Sequence, residues 1–280
     1  MTAVLLSLAA ACCWGCADFL GGLQSKRVAV PVVLAVVESV GLAGVLTIIV
    51  ITGEPFPDGR TVVLSMVAGS AGVLALGLFY RALAIGTMSI VAPISATGVT
   101  LPVVVGIATG DHLTVLVSAG LAVTFVGVIL ASRETGVEDE DRSSGHRLSV
   151  VLALCAAVGF GLYFVLADSA ADESVLWLLA LARFVTVPAL LAIAWSRAMP
   201  GPDRRASRAL VLTGVLDCGA TGLYALASTH GALSIVSVVG SVYPVTTVIL
   251  ARFVLGERLQ AWQRAGVVAA FAGIAMVAGG

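Results

Sequence analysis

Four ionisable residues lie inside long apolar stretches of this sequence, and their chemistry sets the first hypotheses about it. They are Asp18, Glu38, Arg183 and Asp217. A charged side chain deep in an apolar environment is costly, so such a residue indicates a functional site by default. Glu38 and Arg183 have opposite charges, and together they could clamp a zwitterionic solute by its amine and carboxylate, or act as a gate. The alternative is a structural ion pair that joins two parts of the chain.

The two aspartates suggest different chemistry. Asp18 is predicted to be either a proton or cation site in a cavity, or a polar residue near the end of its helix. Asp217 lies more centrally in its apolar stretch. Apolar surroundings favour the neutral form of a carboxyl group, so a protonatable group there would suit proton coupling. We expect several aromatic residues to line the same cavity and to bind apolar parts of a solute: Trp14, Tyr80, Tyr224 and Tyr243.

The composition indicates what kind of fold must hold these residues. Hydrophobic residues make up 59% of the 280 residues, charged residues make up 11%, and the mean hydropathy is +1.09. A soluble domain carries about 25% charged residues. So few polar groups predict an all-α integral membrane protein. The net charge of −1 gives no global field that would attract nucleic acid.

Ten apolar segments are long enough to be membrane-spanning helices, because about 20 apolar residues cross a bilayer. Short polar stretches separate them, and the longest, residues 133–147, is predicted to be a linker between two five-helix domains, residues 1–132 and 148–280. Pro93 and Pro102 are expected to break or kink the fourth span, and Pro244 the ninth. The predicted spans are residues 3–23, 30–52, 62–82, 88–109, 113–132, 148–168, 174–196, 208–228, 233–254 and 261–279.

The two halves of the chain repeat each other at a constant distance in the sequence. Ser89-Ile90-Val91 recurs as Ser234-Ile235-Val236, and 234 minus 89 is 145. If each copy crosses a membrane an odd number of times, the second copy must be inserted upside down. Inverted repeats around a central cavity are typical of secondary transporters, so the repeat predicts that architecture.

Charge breaks this repeat, whereas small and apolar residues keep it. Glu38 and Arg183 occupy equivalent positions, since 183 minus 38 is again 145, and Asp217 corresponds to Gly72. In an inverted repeat, equivalent positions can face one another across the central cavity. We therefore expect the shared residues to build the scaffold and the mismatched residues to mark the pathway.

Basic residues are distributed unevenly among the loops between the predicted spans. Loops after odd-numbered spans hold most of the Lys and Arg residues, whereas loops after even-numbered spans hold only Arg60. The positive-inside rule would place the odd-numbered loops in the cytoplasm and both chain termini outside.

Several short motifs point to a family. They are WGCADFLGG at residues 14–22, YRALAIG at 80–86, SIVAPISA at 89–96, SIV at 234–236, YP at 243–244 and LGERL at 255–259. Their order and spacing across essentially the whole chain resemble the EamA-type carriers of the drug/metabolite transporter superfamily, particularly actinobacterial members. The resemblance implies ten helices in two inverted five-helix repeats, a central cavity, and export or exchange of small metabolites.

Two features depart from the pattern of that family. The first half has Gly110-Asp111-His112-Leu113 where the family usually shows Gly-Glu-Arg. Better-studied relatives also place both termini in the cytoplasm, whereas the charge distribution places them outside, and the orientation stays open between the two.

These observations predict a secondary transporter that moves a small metabolite or amino-acid-like solute by alternating access, with export favoured and proton coupling left open. The sequence contains no GxxxxGK[ST] loop, so a gradient rather than ATP would supply the energy. A non-transporting membrane scaffold or lipid-binding subunit is the alternative. A membrane-embedded enzyme is least favoured, because the sequence has neither an HExxH nor a GxSxG motif.

The expected partners follow from this class of protein. They are a small-molecule substrate, the lipid bilayer and, as a candidate coupling ion, the proton. We expect no cofactor, no bound metal and no nucleic acid. The chain is expected to be a monomer or a weak homodimer that crosses a bacterial inner membrane several times.

Overall fold

The computed structural model describes residues 1–86, 88–110, 114–131, 143–255 and 261–279, and these residues form helices and no strand. Twelve α-helices lie in this part of the chain. They are Thr2–Ser25 (α1), Val30–Thr52 (α2), Gly59–Ile85 (α3), Met88–Ala96 (α4), Thr100–Thr109 (α5), Val115–Ala131 (α6), Ser143–Ala171 (α7), Val175–Ser196 (α8), Arg204–Ser228 (α9), Leu233–Gly240 (α10), Tyr243–Leu255 (α11) and Ala261–Gly279 (α12), with a 3-10 turn at Thr97–Val99.

The helices are long and apolar enough to form a multi-pass membrane protein, as the composition predicts. Within the described ranges, seven segments of at least 18 residues could cross a bilayer. Three shorter apolar helices lie at Ile94–Thr109, Val115–Gly127 and Arg264–Gly273. Each of the ten predicted spans overlaps a helix or a broken pair of helices, but the number that cross a membrane stays a prediction.

The outer surface of the helices is apolar rather than polar. Large side chains such as Leu5, Val50, Val158 and Phe253 are exposed. Exposing such a surface to water costs free energy, whereas contact with lipid chains does not, so these faces fit contact with a bilayer. The buried faces instead carry many alanines and glycines, which let helices approach one another closely.

Two helices begin at equivalent aspartates. The side chains of Asp58 and Asp203 accept hydrogen bonds of 2.7 Å from the backbone N–H groups of Thr61 and Ala206, and so cap α3 and α9. The N–H group of Thr61 also lowers the pKa of Asp58, because its hydrogen bond stabilises the carboxylate. The two caps are 145 residues apart, so the repeat extends to the helix boundaries.

The fourth and ninth predicted spans are broken, as their prolines predict. Between Pro93 and Pro102 the chain passes through the 3-10 turn that separates α4 from α5. Ser241 and Val242 separate α10 from α11, and Pro244 follows in the first turn of α11. Proline is tolerated in a first turn but cannot donate a hydrogen bond to the residue four places earlier, so the break precedes it.

The two halves are interleaved rather than side by side. Helix α1 packs on α9 and α3 packs on α7, while α2 pairs with α8 and α6 with α12. At the α3–α8 crossing Gly69 contacts Ala182, and at the α2–α9 crossing Gly214 contacts Val37. A methyl group added at either glycine would collide with the partner helix, so both crossings depend on the missing side chain.

Some predicted segments lie outside the described residues. Of the predicted linker at residues 133–147, residues 133–142 are outside the described ranges, and residues 143–147 belong to α7. The departing segment at residues 111–113 and the GERL part of the LGERL motif at residues 256–259 are also outside them. The division into two domains therefore stays a prediction.

Candidate functional site

A central cavity of about 90 Å³ lies between the interleaved halves. Helices from both halves supply its walls, and most of the wall is apolar. The polar and aromatic residues that line it are Trp14, Asp18, Glu38, Ser95, Phe160, Tyr163, Phe164, Arg183, Thr186, Asp217, Thr221, Ser241 and Tyr243.

Arg183 is the centre of a buried ionic network in the wall of this cavity. Its Nε atom lies 3.3 Å from Oε2 of Glu38, and its Nη2 atom lies 3.2 Å from Oδ2 of Asp217. Its third nitrogen, Nη1, donates a hydrogen bond of 3.2 Å to the carbonyl oxygen of Leu179. One guanidinium group is thus held by two ion pairs and a backbone hydrogen bond, while its Nε atom makes no hydrogen bond within the described residues.

All three charged side chains of this network are removed from solvent. Arg183 is 4% exposed, and Glu38 and Asp217 are each 8% exposed. Burying charges costs free energy that their mutual attraction recovers only when the contacts are close. The pairing of Glu38 with Arg183 fits both hypotheses raised by the sequence, since the pair joins α2 to α8 and also lines the cavity.

Asp18 lies beside this network but is not part of it. It is 6% exposed and lines the cavity from α1. Among the described residues its carboxyl group has no hydrogen-bond or ion-pair partner, and it is close enough to Asp217 for the two charges to repel. Of the two hypotheses for Asp18, the structure favours the cavity position over the helix end, because α1 continues to Ser25.

The four predicted aromatic residues occupy two different environments. Trp14 and Tyr243 line the cavity. Tyr80 and Tyr224 are buried behind its wall, so they support the cavity without lining it. The Tyr224 hydroxyl is hydrogen-bonded to Ser237 at 2.7 Å, whereas the Tyr80 hydroxyl has no partner within the described part of the chain.

Tilted aromatic rings in contact connect the cavity wall to the core behind it. The ring centroids of Trp14 and Tyr224 are 5.5 Å apart, and those of Phe164 and Tyr224 are 4.7 Å apart. These separations are typical of favourable aromatic pairs. The rigid aromatic cluster fixes the position of Trp14, which lies one helical turn before Asp18 and on the same face of α1.

Sequence reasoning missed two polar cavity residues that a helical periodicity would have found. Thr186 follows Arg183 by three residues and Thr221 follows Asp217 by four, so each lies on the same helix face as a predicted site residue. The missed contact between Asp217 and Arg183 had no comparable signal, because the two residues are on different helices. Ser95 and Ser241 also line the cavity, near the broken segments.

The described residues show no group of three His, Cys, Asp or Glu side chains arranged to hold a metal ion. The chemistry available in the cavity is that of fixed charges, hydroxyl groups and aromatic faces. Such a set can bind a small polar solute by charge and hydrogen bonds, with apolar walls around it.

A comparison with solved structures shows that the fold of this chain is shared by another protein. One solved crystal structure of a protein matches 99% of this chain and 98% of its own chain, with a TM-score of 0.78 and 16% sequence identity. At that identity the likeness concerns the fold. No curated protein matches the sequence significantly.

A family model described as the EamA-like transporter family matches residues 147–279. This is a family of transporters rather than enzymes, and its members reside in membranes. The particular likeness to actinobacterial members stays a prediction. The chain thus carries an EamA-like transporter family domain, consistent with an EamA-type transporter of the drug/metabolite transporter superfamily, and this confirms the resemblance that its motifs indicated.

Proposed function

We propose that this protein is a secondary carrier that moves a small metabolite or amino-acid-like solute across a bacterial inner membrane by alternating access, in the direction of export. The observation that carries the proposal is the buried cavity with Asp18, Glu38, Arg183 and Asp217 in its wall. A charged cavity within an apolar helical bundle is costly to maintain, and a pathway for a polar solute accounts for it.

The relation between the halves supports an inverted repeat of two times five spans. The contact of Gly69 with Ala182 recurs as the contact of Gly214 with Val37. Adding 145 to 69 gives 214, and subtracting 145 from 182 gives 37, so the two contacts exchange when the halves exchange. Reciprocal contacts of this kind are the signature of a two-fold relation between two similar units. With five spans per half, the two-fold axis lies in the plane of the membrane.

Alternating access follows from this arrangement. The two halves rock against each other around the cavity, which is then exposed to one side of the membrane at a time. Glu38 and Arg183 join the halves at the cavity, so their contact is placed to change when the halves move. Asp18 and Asp217 are the groups that would take up a coupling proton. A monomer suffices for this mechanism, since one chain supplies both halves.

Flux measurements with purified protein in proteoliposomes test the proposal. We expect a pH gradient or a solute gradient to drive saturable movement of at least one solute from a broad metabolite panel. Glu38→Gln should reduce this flux at least about tenfold, because the Arg183 contact loses its charge partner. Glu138→Gln, in the acidic stretch between the halves, is the matched control and should transport normally.

The same experiment can refute the proposal. If no solute moves and the wild-type protein cannot be distinguished from Glu38→Gln, the carrier function is wrong. A non-transporting scaffold or lipid-binding subunit would then be the better interpretation.

A further inference from the structure

We infer that the central cavity selects solutes with a net positive charge, and that a small organic ammonium is the class that fits it. This inference rests on the carrier function proposed above and narrows its substrate class. It departs from the zwitterion clamp that the sequence alone suggested, because Arg183 has other partners in the structure.

The charges of the cavity wall do not balance. Among the described residues, three carboxyl groups line the cavity, those of Asp18, Glu38 and Asp217, and one guanidinium group, that of Arg183, faces them. When all four are ionised these side chains carry a formal charge of −2. In surroundings of low polarity such an excess is strongly unfavourable, so the carboxyl groups either bind protons or are stabilised by a cation that enters the cavity in place of the protons.

The charge of Arg183 is already compensated by carboxylates of the wall. Its Nε and Nη2 atoms lie at ion-pair distance from Glu38 and Asp217, and its Nη1 atom is bonded to the Leu179 carbonyl. A solute carboxylate at Arg183 would lie beside the negative charges of Glu38 and Asp217 and would also meet that of Asp18. An ammonium group meets no competition at Asp18, because Asp18 has no partner among the described residues.

A second, independent feature of the wall points to a hydrogen-bonding ligand. Thr186 is 3% exposed and lines the cavity, and its Oγ1 atom has no hydrogen-bond partner in the described structure. A hydroxyl in the middle of a helix commonly bonds to the carbonyl of the preceding turn. The unsatisfied oxygen of Thr186 is covered in this conformation, and a rotation of the side chain toward the cavity would let it accept a hydrogen bond from an ammonium N–H group.

The aromatic walls favour an organic cation over a bare metal ion. Trp14 lies one turn from Asp18, and Phe160, Tyr163 and Phe164 complete the wall. Faces of aromatic rings attract cations, and they also accommodate the carbon atoms of an alkylammonium. A sodium ion could use only the oxygen atoms of the wall, whereas an alkylammonium also uses the ring faces. A cavity of this volume, about 90 Å³, admits a small organic ammonium.

A matched set of ligands tests the charge preference on the full-length protein in detergent. Ethylammonium, alanine and propionate have similar sizes and are respectively a cation, a zwitterion and an anion. We expect isothermal titration calorimetry to give ethylammonium a dissociation constant at least about tenfold lower than those of alanine and propionate. Sodium chloride at the same ionic strength is the arm that tests a metal cation, and it should not compete.

Two variants test where the ammonium binds, so that the test still works if one of them fails to fold. Asp18→Asn should weaken ethylammonium binding about tenfold or more, because it removes the unpaired carboxylate. Thr186→Val should weaken it by a smaller factor. Asp172→Asn, an exposed aspartate in the loop before α8, is the matched control and should bind as the wild-type protein does.

The possible outcomes separate this inference from the carrier function. Tighter binding of alanine or propionate than of ethylammonium, or competition by sodium alone, overturns the cation preference while solute flux still supports a carrier. Binding of ethylammonium with no flux of any solute supports the cation site and contradicts the carrier. Absence of ethylammonium binding to the folded wild-type protein also overturns the inference.

Discussion

The two ends of the α2–α8 pair occupy equivalent positions in the repeat, yet one is closed and the other is open. At the closed end Ser174 donates a hydrogen bond of 2.8 Å to Glu54, and the ring of Phe56 packs edge-on against Trp177 at 4.8 Å. At the opposite end a groove of about 630 Å³ separates the two helices. The buried Arg183 network lies between the two ends.

The difference has its origin in the side chains. Adding 145 to the numbers of Glu54 and Phe56 gives Met199 and Gly201, and subtracting 145 from 174 and 177 gives Ala29 and Val32. None of these replacements can form the polar bond or the ring contact of the closed end. Three of them, Val32, Met199 and Gly201, instead line the groove.

On the proposed inverted repeat, this comparison indicates how a fold with two similar halves can favour one state. Two identical halves would give two ends of equal stability, and neither would be closed preferentially. Here the shared glycines build the helix crossings, while residues in the loops and in the first turn of α8 close one end only. The closed end is thus stabilised by a few replaceable side chains, and changing them should shift the balance between the ends.

The largest effect is expected at the network between the two ends. Arg183→Gln would leave Glu38 and Asp217 buried without a counter-charge, and breaking a buried ion pair in this way costs about 3–5 kcal/mol. Thermal unfolding in detergent, followed by loss of the monodisperse peak in size-exclusion chromatography, measures the effect. The double variant Glu38→Gln with Arg183→Gln should be more stable than Arg183→Gln alone. If Arg183→Gln is as stable as the wild-type protein, the ionic network does not stabilise the packing of α2, α8 and α9.

The next effect concerns the scaffold that both halves share. Gly69→Ala and Gly214→Ala should each destabilise the protein by about 1–3 kcal/mol, because the added methyl groups collide with Ala182 and with Val37. Thermal unfolding should give the two variants similar losses. Gly44→Ala is the control, since nothing lies near its side-chain position and the helix gains in propensity. A loss confined to one of the two glycines would contradict an equivalent scaffold.

Much of this scaffold is predictable from the sequence, because its causes are local. Apolar length predicts the helices, Pro244 predicts the break before α11, and the constant offset of 145 predicts the equivalent glycine positions. The pairing of Glu38 with Arg183 could also be anticipated, since the repeat relates the two residues. In each case the signal lies within one helix or in the spacing between two copies.

The finer geometry of the site has no such signal. Asp217 contacts Arg183 because α8 and α9 pack at a particular angle, which no periodicity in either helix encodes. Tyr80 and Tyr224 are aromatic residues close to cavity helices, yet their rings point behind the wall, where Tyr80 fills the space beside Gly21. The partners of a side chain across a helix interface depend on tertiary packing, and the sequence does not record it.

The next prediction concerns a double variant in which residues of the closed end are replaced by the residues at the equivalent positions of the open end. Glu54→Met with Phe56→Gly removes a hydrogen bond and a ring contact that together contribute about 1–2 kcal/mol. This should increase exposure of the helix interface at that end about tenfold. The measurement is the rate at which a maleimide labels a cysteine at position 46 in a protein whose native cysteines are replaced. Arg60→Gln, an exposed change in the first turn of α3, is the control in the same protein. An unchanged labelling rate in the double variant would mean that these side chains do not close the end.

The open end can in turn be given a cap that only the closed end has. Ser174 accepts a hydrogen bond of 3.2 Å from the backbone N–H of Trp177 at the start of α8, whereas Ala29 leaves the start of α2 without a side-chain cap. Ala29→Ser should raise the free energy of unfolding by about 1 kcal/mol. Ser174→Ala should lower it by more than this, because Ser174 also bonds to Glu54. If thermal unfolding shows no gain for Ala29→Ser, the backbone at the two helix starts is not equivalent.

The smallest effect concerns the residues that end the two paired helices. Gly53 ends α2 with a φ of 67°, and Ala198, 145 residues later, follows α8 with a φ of 47°. The left-handed conformation costs a residue with a side chain about 1–2 kcal/mol, and glycine adopts it freely. Ala198→Gly should therefore raise the free energy of unfolding by about 0.5–1 kcal/mol, after the greater freedom of glycine in the unfolded chain is deducted. Gly53→Ala should lower the free energy of unfolding by a similar amount. A higher unfolding temperature for Ala198→Gly and a lower one for Gly53→Ala would show that the same backbone turn ends α2 and α8. If Ala198→Gly instead lowers the free energy of unfolding, the turn at the open end depends on the alanine side chain, which lines the groove. The two ends would then differ in their backbone as well as in their side chains.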